Sequence, residues 1–477
     1  MKLKNLKDFP KDFLWGASTS AYQVEGGTNE GGKGKNVMDL TDFGPEICDF
    51  SVASDFYHKY KEDIAMFKEM GMKSFRFSFS WARIFPDASG KVNQEGVDYY
   101  KDMINELNKH GIEPVATIYH FDMPVWLQEK GGWSNKEVVI KAYVDFAKVL
   151  LENYNDQVKY WLTINEQNMM VLGSTATDFF GAGSGLTGNA KTKDAFTQSH
   201  HMFLGQAIVS KIINTEYPHC KVGAAPNIVA TYPASNKPED YEAAIGAGVM
   251  RNWFFLDAIV RGEYNPLAYN YLKEYGWLPE ITEEDKEILK DQHQDFIAFN
   301  YYSSMTVESW TEETDETGMM GVFNQQMGFR FPHIARGVPN ENLQRTEYGW
   351  EIDPIGFKTT LTEMYERYRL PLMITENGMG VREELNEDMT VNDDYRIEYY
   401  TAHLTEMKKA ISEGVEVFSY NPWTAIDLVS THEGISKRYG FIFVNRHEHD
   451  LRDLKRYPKK SFYWYQELIK TNGSKLK

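Results

Sequence analysis

With 51 Lys and Arg against 69 Asp and Glu in 477 residues, the chain carries a formal net charge of −18. That balance argues against a nucleic-acid partner and against an anionic membrane surface. Cys48 and Cys220 are its only cysteines, so no disulfide framework is expected, and residues 1–8 lack the apolar stretch of a signal peptide.

No apolar run reaches membrane-spanning length, and a reducing cytoplasm is the expected location. Short strand-like runs alternate with helical patterns along the whole chain. The first run is 13–18. Behind it, Gly27-Thr28-Asn29-Glu30-Gly31-Gly32-Lys33 matches most of a phosphate-binding GxxxxGK loop. Gly34 stands where Ser or Thr must hold Mg²⁺, and no strand-loop-helix context surrounds it, so it reads as an ordinary glycine-rich loop rather than a nucleotide site. A helix is predicted over 55–70, with Phe56, Tyr60, Ile64 and Phe67 on one face and Gly71 as stop. The second strand is 74–81. A helix over 97–109 follows, with Tyr100, Met103, Ile104 and Leu107 repeating the pattern, then the third strand, 113–120. Ser134 and Glu137 read as a capping box opening a helix through Leu150. Further strands are predicted at 158–165, 221–226, 295–302, 370–375 and 416–423. The weakly periodic stretch 310–348, with Glu312, Glu313, Asp315 and Glu316, reads as a long loop over the barrel mouth. His447-Glu448-His449 does not have zinc spacing and reads as a surface loop. No metal or other cofactor is expected.

Eight strands alternating with helices predict α/β architecture: a single catalytic (β/α)8 TIM-barrel domain over 1–477, with long βα-loop insertions. Polar residues gather at the C-terminal ends of the strands: His120, Asn165, Glu166, Asn300, Tyr302, Glu376 and Asn377. In a parallel barrel these ends share the face that carries chemistry. Two of the runs lead directly into a glutamate, in Thr163-Ile164-Asn165-Glu166 and in Ile374-Thr375-Glu376-Asn377-Gly378. Two carboxylates delivered at strand ends are the minimum for cleaving a glycosidic bond. One protonates the leaving oxygen; the other attacks or stabilises the anomeric carbon. A strand-end glutamate is more often a solvated or ion-paired residue, so this pair alone does not decide.

The ordered set of motifs does. Phe13-Leu14-Trp15-Gly16-Ala17-Ser18 with Gln23 and Glu25-Gly26, Ser74-Phe75-Arg76-Phe77-Ser78 with Ser80-Trp81, and Tyr119-His120-Phe121-Asp122-Met123-Pro124 come first. The Asn165-Glu166 pair, Asn300-Tyr301-Tyr302 and the Glu376 segment follow. In this order the chain resembles glycoside hydrolase family 1 nearly end to end. The resemblance implies a retaining β-glycosidase with Glu376 as nucleophile and Glu166 as acid/base. A raised pKa is then expected for Glu166 from the like charge of Glu376. Arg76 and Tyr302 are expected to keep Glu376 ionised. Gln23, His120 and Asn165 correspond to sugar-hydroxyl binders, Trp423 to the aromatic floor, and Trp350 to a wall further out on the aglycone side. Tyr301 is left as scaffold. Two departures stand out: Gln167 where proline commonly follows the acid/base, and Phe121 where tryptophan commonly follows the histidine.

The stretch 423–439 bears on the sugar. In ordinary β-glucosidases of this family, a glutamate matching Ser430 grips the 4- and 6-hydroxyls. Ser430 removes that charge and adds a donor; Lys437 and Tyr439 add an ammonium and a hydroxyl. The arrangement resembles the phosphate site of the 6-phospho-glycosidase branch, and Arg438 reads as structural. Phospho-galactosidases of that branch have tryptophan matching Thr431, so Thr431 favours glucose. The expected partner is a small phosphorylated β-glucoside. The runners-up are an unphosphorylated β-glucosidase, a 6-phospho-β-galactosidase and, remotely, a catalytically inactive sugar-binding barrel. Residues of 169–180 and of 310–348 are expected to shape the aglycone side. Oligomeric state is not readable from the sequence.

Overall fold

A computed structural model describes residues 3, 5–42, 44–175, 185–310 and 328–476. Its centre is a ring of eight strands: β1 (Leu14–Trp15), β2 (Ser74–Ser78), β3 (Glu113–Tyr119), β4 (Tyr160–Asn165), β5 (Lys221–Ala225), β6 (Ile297–Asn300), β7 (Leu372–Glu376) and β8 (Val417–Tyr420). Each lies inside a predicted run except β7, which extends one residue beyond its run to include Glu376. Pairing is parallel within two arcs, β2-β3-β4-β5 and β6-β7-β8-β1. The parallel bridges Ser18–Arg76 and Asn227–Asn300 join the arcs into a closed barrel. At these seams Arg76 N–H donates to the Ala17 carbonyl and Asn300 N–H to the Pro226 carbonyl, both at 2.9 Å.

The period of two along each strand sorts its side chains. In β2, the Phe75 ring packs on Phe67 of the helix Phe56–Met70 at 4.9 Å, while the alternate residue Arg76 points to the strand-end polar cluster. Val115, Leu162, Ala225, Phe296, Ala298 and Met373 form an apolar cluster of their own, separate from the main core, with Tyr160 and Phe418 against it. This plug closes one end of the barrel, so the polar ring at the strand ends stands on a dry floor. The helix Phe56–Met70 ends as expected: Gly71 adopts φ 87°, and the Met72 N–H reaches back to the Phe67 carbonyl at 3.1 Å.

Three expectations need correction. Ser134 does not open a capping box. The helix runs Lys136–Tyr154 with Asn135 at its N-cap and no side-chain cap, because Ser134 belongs to the preceding 3₁₀ turn and its hydroxyl donates to Asp194 at 3.0 Å. The stretch 310–348 is not a loop throughout. Its described residues include strands Arg330–Phe331 and Ala335–Val338; these pair with each other, Ala335–Val338 pairs with Met305–Ser309, and Met305–Ser309 pairs in turn with Thr231–Pro233, in a small sheet beyond the ends of β5 and β6. These strands are too short to show a period. Glu312, Glu313, Asp315 and Glu316 lie outside the described residues, as do residues 176–180 of the 169–180 stretch. Finally, Pro238–Arg261 is long and apolar enough by length and composition to cross a membrane, yet 83% of its apolar 18-residue window is buried inside the fold. It serves as core packing.

Candidate active site

Glu376 is the last residue of β7 and is 4% exposed. Glu166 directly follows β4, with φ 44° and ψ 44°, and begins the helix Gln167–Ser174. That left-handed conformation is strained for a side-chain-bearing residue. It turns the chain between strand and helix at the point where the carboxylate is displayed.

Arg76 is the hub. Nη1 donates to Glu376 Oε1 at 2.5 Å, Nη2 to Asn165 Oδ1 at 2.6 Å, and Nε to Thr117 Oγ1 at 2.8 Å. Tyr302 OH donates to the other Glu376 oxygen at 2.6 Å. Asn300 Nδ2 reaches both Asn165 Oδ1 (3.1 Å) and Glu166 Oε1 (2.8 Å). Asn227 Nδ2 also donates to Glu166 Oε1 at 2.8 Å, and its own Oδ1 accepts from Arg251 Nη2 at 2.6 Å. One network therefore holds both carboxylates, buried at Glu376 and part-buried at Glu166. The two carboxylates differ in partners: Glu376 is held by a guanidinium and a phenol, Glu166 by two neutral amides.

The Glu376 carboxyl is shifted strongly upward. Burial is the main cause, and it pushes Glu376 up to about 7; Arg76 and the Tyr302 hydroxyl pull it down, and the Glu166 charge pushes it further up. A nucleophilic carboxylate must be ionised, so kcat/KM is expected to rise with pH through this region. In Arg76→Gln the guanidinium is lost, and the acid limb of the pH–kcat/KM profile is expected to move upward. An acid limb left in place by that substitution would show that it reports another group.

His120 is held neutral: burial first, then the Arg76 charge, push it well below its usual value. Its Nε2 lies 3.2 Å from Asn165 Nδ2, its Nδ1 has no protein partner, and its ring stacks on Trp423 at 6.0 Å. Gln23 Nε2 donates to the Val429 carbonyl at 3.0 Å, which ties it to the loop after β8. Thr431 Oγ1 lies 2.8 Å from Tyr22 OH. The structure thus brings Gln23, His120, Asn165, Trp423 and Thr431 to the same end of the barrel as the glutamates. Tyr301 bonds the Asp353 carbonyl and is scaffold.

Both sequence departures have local explanations. Gln167 Nε2 donates to the Ser199 carbonyl at 2.9 Å, and its Oε1 accepts from Gln206, which in turn accepts from Thr163. A proline there would leave these buried groups unpaired. Phe121 has φ 71° and packs edge-on against His120 at 5.0 Å. In the glycine-rich stretch before β2 the Gly26 and Glu30 carbonyls accept from Arg83, and Lys33 is paired with Asp39 at 2.5 Å.

Beyond β8, Ser430, Lys437 and Tyr439 are all buried, with Lys437 1% exposed. Lys437 Nζ lies over three rings, 4.1 Å from Trp350, 4.3 Å from Tyr348 and 5.7 Å from Tyr439. This is a cation–π cage. Trp350, expected as an outer wall, is therefore also a wall of the ammonium site, and it packs edge-on against Tyr302 at 5.3 Å. Burial lowers the Lys437 pKa, and the Glu433 carboxylate opposes that. Arg438 is structural: Nη1 pairs with Asp427 at 2.9 Å and Nη2 donates to the Arg446 carbonyl at 2.6 Å.

A buried ionic cluster backs this loop. Lys459 bonds Asp427 at 2.7 Å and Glu383 at 2.5 Å, while Arg396 pairs with Glu383 and Asp393 and donates to the Tyr439 carbonyl at 3.1 Å. Glu383→Gln would leave two buried cations short of charge, and a loss of about 3–5 kcal/mol is expected, read by urea denaturation. An unchanged midpoint would mean that the cluster reorganises around the lost charge.

Sequence reasoning missed Asn227, Arg251, Tyr348, Gly380 and Glu433. Asn227 stands just past β5 and could have been found as a polar strand-end residue. Gly380 carries no such signal: a Cβ there would lie 2.5 Å from Lys437 Cγ and 2.9 Å from Tyr439 Cζ. Only a glycine lets the lysine stem lie across this backbone.

Two carboxylates, one beside a guanidinium and one beside amides, at the C-terminal mouth of a (β/α)8 barrel define a glycoside hydrolase. The chain belongs to glycosyl hydrolase family 1, whose family model matches residues 5–474. It is 42% identical to the aryl-phospho-β-D-glucosidase BglH of Bacillus subtilis, over 99% of both chains. It is 38% identical to a 6-phospho-β-glucosidase of Clostridium longisporum, over 98% of both. Its fold matches a family 1 β-glucosidase from Thermotoga maritima with a TM-score of 0.86 and 34% identity, covering 98% of this chain and 99% of that one.

Proposed function

We propose that the chain is one catalytic unit, a retaining 6-phospho-β-glucosidase that releases glucose 6-phosphate and an aglycone from substrates such as cellobiose 6-phosphate or aryl β-glucoside 6-phosphates. The observation that carries the phosphate assignment is the buried ammonium of Lys437 beside the hydroxyls of Ser430 and Tyr439. A buried cation with two neutral donors suits a dianion and has no use for an uncharged hydroxymethyl group. The printed activities of BglH and of the Clostridium enzyme point the same way.

In the proposed reaction the Glu376 carboxylate attacks the anomeric carbon while Glu166 protonates the departing oxygen. The covalent glycosyl-enzyme is then cleaved by water, whose proton passes to Glu166. Retention requires the two carboxyl groups to stand about 5–5.5 Å apart. Arg76 and Tyr302 keep Glu376 anionic and then receive charge back when it leaves. Neutral His120, with Nδ1 unpaired, suits a sugar hydroxyl, and Trp423 provides the ring face. Thr431 supports glucose over galactose as the glycone. Both cysteines are free buried thiols, in keeping with a cytoplasmic enzyme acting on an already phosphorylated sugar.

The test compares kcat/KM for 4-nitrophenyl β-glucoside 6-phosphate, the unphosphorylated glucoside and the galactoside 6-phosphate. A preference of several orders of magnitude for the first is expected. Equal or better turnover of the unphosphorylated glucoside would make the chain a plain β-glucosidase. No turnover of any of the three would indicate an inactive sugar-binding barrel.

A further inference from the structure

The groups expected to receive the phosphate already hold an anion. Lys437 Nζ donates to Glu433 Oε1 and Ser430 Oγ donates to Glu433 Oε2, each at 3.2 Å. A single carboxylate spans both donors. The backbone arranges this locally: Ser430 N–H bonds the Gly434 carbonyl at 2.9 Å and Gly434 N–H bonds the Ser430 carbonyl at 3.1 Å. This tight loop folds Glu433 back over Ser430. Glu433 is also the i−4 neighbour of Lys437.

The two partners differ in freedom. The Lys437 side chain is 1% exposed and fixed among three rings, whereas the Glu433 side chain is 36% exposed. The ammonium cannot leave; the carboxylate can turn to water. A Ser hydroxyl has one hydrogen to donate, so it cannot serve Glu433 and a phosphate oxygen together. A phosphate dianion at Lys437 would also stand beside the Glu433 charge, which is unfavourable at contact distance.

We propose that Glu433 is a resident anion of the phosphate site, which neutralises Lys437 in the empty enzyme and is displaced to solvent by the substrate's 6-phosphate. The proposal rests on the 6-phospho-glucoside reading of this site. It makes Glu433 a specificity-determining residue. Substrate affinity is the difference between two anions competing for one ammonium and one hydroxyl, and the dianion prevails by its second charge. The resident carboxylate also spares the empty pocket an unpaired buried cation.

The experiment measures KM for 4-nitrophenyl β-glucoside 6-phosphate and the inhibition constant of glucose 6-phosphate in wild type, Glu433→Gln and Glu433→Asp. Both variants weaken the competitor: Gln by losing its charge, Asp by losing the reach to span both donors. Both constants are expected to fall roughly threefold to tenfold, the scale of one charge-assisted hydrogen bond given up, with kcat changed less than about twofold. The urea denaturation midpoint of each variant serves as the folding control. If both constants rise, Glu433 positions Lys437 instead of competing with phosphate, and the proposal fails. Constants that stay unchanged in both variants also overturn it. Failure of the underlying phosphate reading is seen separately, in a wild-type enzyme without preference for the phosphorylated substrate.

Discussion

Glu376→Ala is expected to lower kcat by at least about 10⁴-fold, the scale on which removal of a covalent nucleophile is felt. The reason is local. Arg76 and Tyr302 hold both oxygens of this carboxylate, at 2.5 and 2.6 Å, and no other described carboxylate shares those two donors. Added azide should restore turnover by attacking the anomeric carbon from the vacated side, giving the α-glycosyl azide. Glu166→Ala should behave differently. With a good leaving group such as 2,4-dinitrophenolate, which needs no proton, glycosyl-enzyme still forms and accumulates as a burst. Azide then attacks the opposite face of that intermediate, giving the β-glycosyl azide. The stereochemistry of the two azides, read by NMR, assigns the roles. A β-azide from the Glu376 variant would reverse the assignment of the two carboxylates.

Lys437→Met is expected to reduce kcat/KM for the 6-phospho-glucoside by about 10²- to 10³-fold, the range for truncating one partner of a buried charge pair. Methionine keeps an apolar stem against Trp350 and Tyr348, so the loss reports the charge rather than a cavity. Turnover of the unphosphorylated glucoside should be little changed or should improve. Ser430→Glu should move further in the same direction, since it puts a carboxylate where the phosphate is proposed to sit and offers it to the sugar hydroxyls. Gly380→Ala should resemble Lys437→Met, because the added methyl displaces the lysine stem. Equal losses on both substrates in all three variants would mean that this pocket supports the fold of the loop and does not read the phosphate.

The barrel and both glutamates are legible in the sequence through the ordered motifs. Parallel strands buried on both faces read as continuous apolar runs, and the barrel places their C-terminal ends on one mouth by topology alone. Arg76 was legible only through the family motif Ser74-Phe75-Arg76-Phe77-Ser78. Capping at Ser134 was not, because its hydroxyl had a competing partner in Asp194, sixty residues away. The small sheet around 305–338 was hidden by strands shorter than any period can register.

The sequence by itself determined the element order, the family, and the identity and placement of Glu166 and Glu376, since these depend on local pattern and on the register of single strands. Only the tertiary structure decided their surroundings. It showed that burial weighs on Glu376 more than its fellow glutamate does, that Asn227 and Arg251 stand behind Glu166, and that Tyr348, Trp350 and Gly380 shape the seat of Lys437. It alone revealed Glu433 bridging Ser430 and Lys437. Desolvation, ring cages and competition between charges depend on which distant segments meet. No spacing along the chain encodes how far water has been excluded once they do.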